Sequence, residues 1–71
     1  MPTPDQFAEY AAENEALAAF RRAQADLYAH TAREARSGIT GETPEYHRLN
    51  DAVIAVGKKL PKRFRHLAKD V

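Results

Sequence analysis

Between Asp5 and Arg36 the chain contains neither glycine nor proline, and alanine recurs throughout. No other feature narrows the fold as much. Alanine is the strongest helix former, and the two residue types that interrupt helices are the ones missing. Thr3 supplies a hydroxyl cap, Pro4 takes the first helical position, and Gln6 follows Thr3 at the spacing of a capping box. Ser37-Gly38 closes the stretch, because glycine tolerates the left-handed conformation that helix ends favour. The pattern predicts one helix over residues 4–36, about 50 Å long at a rise of about 1.5 Å per residue.

The large side chains of this helix are ordered. On a helical wheel Tyr10, Leu17, Phe20, Leu27 and Tyr28 share one broad face, with Phe7 at its edge. Glu13, Gln24 and Thr31 interrupt that face. Within a helix–helix seam a polar residue such as Gln24 can fix register or oligomeric state at some cost in stability; outside the seam it is simply hydrated. Ala12, Ala16, Ala19 and Ala23 flank the face as a small-residue stripe that lets a second helix come close.

A connection over residues 37–43 follows, containing Gly38 and Gly41. Thr43-Pro44 repeats the opening device of hydroxyl cap and proline. Tyr46, Leu49, Val53, Val56 and Leu60 then recur at the alternating spacing of an a/d seam, predicting a second helix over residues 44–60. Gly57 within it either permits a close crossing or weakens the helix by about 1 kcal/mol relative to alanine. Pro61 has no N–H to donate, so the helix kinks or ends near Leu60. Phe64, Leu67, Ala68 and Val71 resume helical spacing, predicting a short helix over residues 61–70. The expected fold is all-α and a single domain over residues 1–71. A long N-terminal helix is followed by a shorter helix and a short C-terminal helix, together forming an antiparallel helical hairpin.

A chain of 71 residues buries a small share of its surface, and with no cysteine it has no disulfide or thiolate metal site to supplement its core. Much of its 44% hydrophobic content is alanine, so the seam is thin. A partner surface is therefore expected: a second copy, closing a four-helix arrangement with coiled-coil-like packing, or a larger protein. The expected interface is Tyr10, Leu17, Phe20, Gln24, Leu27 and Tyr28, aromatic anchors being what dominates such contacts.

Charge is uneven although the formal total is only +1. Lys58, Lys59, Lys62, Arg63, Arg65 and Lys69 crowd the last segment against Asp70 alone, while Asp5, Glu9, Glu13 and Glu15 lie near the start. An antiparallel hairpin sets these two ends side by side, and cations near a helix C-terminus are favourable in themselves. Alternatively the six cations contact an anion or the phosphates of nucleic acid, which would position a partner without reading its sequence.

Catalytic chemistry has no foothold. His30, His47 and His66 match no metal spacing, although His47 and Asp51 stand one helical turn apart. Ser37 is the only serine, and no glycine-rich phosphate loop is present. No enzyme activity, catalytic residue, metal or cofactor is expected. No apolar run approaches the length of a membrane span, and Met1-Pro2-Thr3-Pro4-Asp5 lacks the character of a signal peptide, so a cytoplasmic protein with no membrane contact is expected.

Tyr46-His47-Arg48-Leu49, Lys59-Leu60-Pro61 and Phe64 resemble the C-terminal part of the Hha/YmoA-type bacterial nucleoid regulators, helical proteins that act through a DNA-binding partner. The likeness covers roughly a third of the chain in common residue types, and the long alanine-rich helix departs from it, so membership is not assigned. The residues favour a small protein–protein interaction module, a regulator or accessory subunit that self-associates or docks. The alternative is a nucleic-acid-associated protein using its basic end.

Overall fold

The computed structural model describes residues 1–70, with side chains described through residue 68. Val71 and the side chains of Lys69 and Asp70 lie outside the described residues. The fold is all-helical. Helix α1 spans Pro4–Arg36, helix α2 spans Pro44–Gly57, and a 3₁₀ helix spans Lys62–Asp70.

Both ends of α1 are closed as its sequence dictates. The Thr3 N–H donates to Gln6 Oε1 at 2.8 Å, and the Gln6 N–H donates to Thr3 Oγ1 at 3.2 Å. At the far end Gly38 takes φ of 78°, the Gly38 N–H donates to the Ala35 carbonyl, and the Ile39 N–H donates to the Glu34 carbonyl. These bonds form a Schellman closure, which satisfies carbonyls the helix leaves unpaired. Thr31, on the broad face, donates its hydroxyl back to the Leu27 carbonyl at 2.9 Å.

Helix α2 returns along α1, and the core forms where the two meet. Phe20 and Leu27 from α1 are buried together with Val53 of α2 and Leu60 just beyond it. Leu17, Ala23, Tyr46, Leu49 and Val56 pack around them. Every member of the predicted a/d seam thus lies on the covered side. The small-residue stripe is divided: Ala16 and Ala23 are half-buried, and Ala12 and Ala19 are exposed.

The second helix ends sooner than its spacing predicts. It stops at Gly57 rather than Leu60. The Lys58 N–H still reaches the Ile54 carbonyl, but Lys59 and Leu60 donate to Val56 and Gly57, three residues back. Pro61 explains the tightening: its ring disfavours helical geometry at Leu60, and it cannot donate to the turn before it. The terminal segment also differs from the expected helix in being 3₁₀. Pro61, Phe64 and Leu67 recur every third residue and are half-buried, between exposed Lys62, Arg63, Arg65 and His66. A 3₁₀ helix stacks residues three apart, so this arrangement puts Pro61, Phe64 and Leu67 on one line, with half-buried Ala68 next to it.

The result is a rod. Its radius of gyration is 15.3 Å, against about 11 Å for a compact domain of this length. Its extents are 53 × 17 × 16 Å, the long dimension being that of α1 itself. Residues 1–9 extend past the second arm and are exposed throughout.

A polar junction ties the hairpin at its closed end. Thr43 caps α2 by accepting the Tyr46 N–H at 3.1 Å, and it donates its own hydroxyl to Glu34 Oε1 at 3.2 Å. The same carboxylate oxygen lies 2.7 Å from His30 Nε2, a close contact that is not aligned as a hydrogen bond. One threonine therefore starts α2 and fastens it to the last turn of α1. Replacing Thr43 with alanine is expected to lower stability by about 1–2 kcal/mol, measured by thermal denaturation. Thr43→Ser, which keeps the hydroxyl, is expected to retain most of the stability that Thr43→Ala loses.

Candidate docking surfaces

The residues singled out on α1 divide into covered and uncovered sets. Phe20 and Leu27 are core residues, packed within the chain. Tyr10, Leu17 and Gln24 are half-buried, and Tyr28 remains 60% exposed. Tyr10, Leu17 and Gln24 stand one heptad apart, so they form a line along one flank of α1, beside the second arm. Among the described residues, Phe7, Ile39 and Ile54 are the other exposed large apolar residues apart from Met1.

Of the basic residues, Arg63 folds back onto α1. Its Nε lies 2.9 Å from Glu13 Oε2, and its guanidinium sits 5.6 Å from the Tyr10 ring centroid. Of the acids near the start, Glu13 is the one that meets the basic end in an ion pair among the described residues; Asp5, Glu9 and Glu15 are exposed. Arg65 donates from Nε to the Leu60 carbonyl at 3.3 Å. Lys58, Lys59 and Lys62 are exposed and have no ion-pair partner among the described residues. Lys69 belongs to the same basic group by sequence, but its side chain lies outside the described residues.

His47 contacts Glu42 at 3.1 Å rather than Asp51, because the chain entering α2 carries Glu42 back alongside it. Glu45 is held below its usual carboxylate pKa, chiefly by the hydrogen bond from the Arg48 guanidinium. Both pairs are exposed. No group of three or more His, Cys, Asp or Glu able to hold a metal occurs among the described residues. Nor is any described helix long and apolar enough to cross a membrane.

A cleft of about 310 Å³ opens where α2 hands over to the 3₁₀ segment. Phe20, Val53 and Gly57 line it deepest, Ile54 and Ala68 stand beside them, and Lys58 and Arg65 complete its lining. Gly57 lets its neighbours pack closely at the edge of this cleft. A Cβ on Gly57 would lie 3.2 Å from Ala68 Cβ and 3.3 Å from Phe20 Cε1. Sequence reading nominated three of the cleft's residues, Phe20, Lys58 and Arg65, but for other purposes. Gly57, noted as a candidate close crossing, carried the one signal that pointed here.

No protein-family model, curated protein or solved structure matches the chain.

Proposed function

We propose that this protein is a non-enzymatic helical interaction module that works by self-association, as a small regulator or accessory subunit. The observation that carries the reading is the half-covered flank of α1. Tyr10, Leu17 and Gln24 repeat by heptads along it, and Tyr28 stands exposed beside them. Two hairpins laid flank to flank would cover Tyr28 and complete the burial of Leu17. Gln24 in such a seam would limit the register, since a buried amide requires a hydrogen-bond partner.

The basic segment supports the alternative, a nucleic-acid-associated protein, less well. Arg63 is paired with Glu13, which leaves Lys58, Lys59, Lys62 and Arg65 as the cations without an ion pair among the described residues, a small footprint even with Lys69. Sedimentation of the wild type and of Tyr28→Glu tests the first reading. An oligomer that Tyr28→Glu converts to a monomer, at unchanged helicity, is expected; a monomer at every concentration would remove self-association. Titration with DNA and RNA at two salt concentrations tests the alternative, which requires binding that drops steeply as salt rises.

A further inference from the structure

We infer that α1 pairs antiparallel with α1 of a second copy, in the register that sets Tyr10 against Tyr28 and Asn14 against Gln24. The inference rests on the proposed self-association and adds its orientation and register.

Helix α1 carries two seams. The first runs from Glu13 to Glu34 through Phe20 and Leu27 at alternating spacings of three and four, and every member is buried or half-buried. The second keeps the same spacings from Phe7 through Tyr10, Leu17, Gln24 and Tyr28 to Thr31, with Asn14 and Arg21 completing the period. The two seams lie roughly 110° apart around the helix, the placement of a helix with two neighbours in a bundle. Only the first is covered within the chain. On the second, Tyr10, Leu17 and Gln24 are half-buried and the other members are exposed. Ala11, Ala18 and Ala25 recur by heptads along its edge and are exposed, which lets another helix approach closely.

Arg21 sets the orientation. A parallel, in-register pair would put Arg21 against Arg21 of the second copy inside the seam, like charge on like charge. An antiparallel pair puts it against Leu17 of the second copy, where its aliphatic stem covers the leucine and its guanidinium reaches water. The helix as a whole agrees. Its first half carries Asp5, Glu9, Glu13 and Glu15 and no base; its second half carries Arg21, Arg22, Arg33 and Arg36 against Asp26 and Glu34. Across a contact made by α1 on both sides, the antiparallel arrangement sets the acidic half of each helix against the basic half of the other.

The amides and aromatic rings set the register. Asn14 donates from Nδ2 to the Tyr10 carbonyl at 2.8 Å, which leaves Oδ1 to accept from the Gln24 amide of the second copy. The same register brings Tyr10 against Tyr28 and Phe7 against Thr31, whose hydroxyl already donates to the Leu27 carbonyl. A shift of one heptad either way leaves Tyr28 or Phe7 opposite an end of the helix. Because the seam matches its own reverse, the occupant is a second copy related by a twofold axis.

Cysteine cross-linking tests the inference, since the chain has no cysteine of its own. In the inferred register Ala11 of one copy lies within about 3 Å, along the axis, of Ala25 of the other, whereas the two Ala11 residues are about 24 Å apart. Mild oxidation of an equal mixture of Ala11→Cys and Ala25→Cys is expected to give at least about tenfold more disulfide-linked dimer than either variant alone. Both substitutions replace exposed alanines, so helicity by circular dichroism is expected to be unchanged. Sedimentation of the reduced samples reports association separately. Efficient cross-linking of Ala11→Cys by itself would overturn the antiparallel orientation. A dimer by sedimentation that gives no mixed cross-link would overturn the register while leaving self-association standing, and a monomer at every concentration would overturn both.

Discussion

Phe20→Ala is expected to cost about 3–5 kcal/mol, the usual price of deleting a fully buried aromatic ring. Phe20 is 1% exposed and belongs to a core whose other buried hydrophobic members among the described residues are Leu27, Val53 and Leu60. It also sits where α1, α2 and the 3₁₀ segment converge, since Gly57 approaches its ring and Ala68 closes on Gly57 and packs against the same core. Removing the ring would leave a void that a rod this narrow cannot close without moving an entire arm. Domains of this length are stabilised by roughly 4–10 kcal/mol in total, so the loss is a large fraction of the whole. Urea denaturation followed by circular dichroism should show a midpoint lowered by about half or more. Phe7→Ala is the matched control. That ring is 55% exposed on the uncovered turns of α1, and its removal is expected to change stability by no more than about 0.5 kcal/mol. Equal losses in the two variants would mean that the hairpin does not close over Phe20.

Both ends of α1 and the start of α2 were legible in the sequence, because each depends on a few neighbouring residues, whereas α2 stops at Gly57 and not at the expected Leu60. Thr3, Pro4 and Gln6 form their capping box, Gly38 takes its left-handed turn, and Thr43 caps α2 ahead of Pro44. The seam from Tyr46 to Leu60 was legible too, since a covered face leaves a period in the sequence. What could not be read depends on which parts of the chain meet. Glu34 shows no local sign of bonding Thr43, although the one-turn spacing of His30 and Glu34 was available as a hint. The 3₁₀ form of the last segment lay in the three-residue recurrence of Pro61, Phe64 and Leu67, a pattern that short α-helices share in part. The cleft was hidden for a stronger reason. Its walls come from three separate stretches of the chain, Phe20, then Val53, Ile54, Gly57 and Lys58, then Arg65 and Ala68. A sequence shows which groups are present more readily than the space left between them.

Gly57 gives the second large effect, and two variants isolate its cause. Gly57→Leu is expected to destabilise the chain by about 2–3 kcal/mol through overpacking, whereas Gly57→Ala should remain within about 1 kcal/mol of wild type. The contrast follows from geometry. In the alanine variant the new Cβ meets Ala68 Cβ at 3.2 Å and Phe20 Cε1 at 3.3 Å, so its neighbours must yield by a few tenths of an ångström. Ala68 belongs to the 3₁₀ segment, which can shift, and alanine's helix propensity offsets the strain by up to about 1 kcal/mol. Leucine carries three further carbons on a Cβ that Ala68 and Phe20 already crowd, so those neighbours must yield further. Because alanine and leucine have nearly the same helix propensity, the difference between the two variants reports packing alone. Chemical denaturation of both proteins provides the comparison. A leucine variant as stable as the alanine variant would show that α2 does not cross Phe20 at the closeness that only glycine permits.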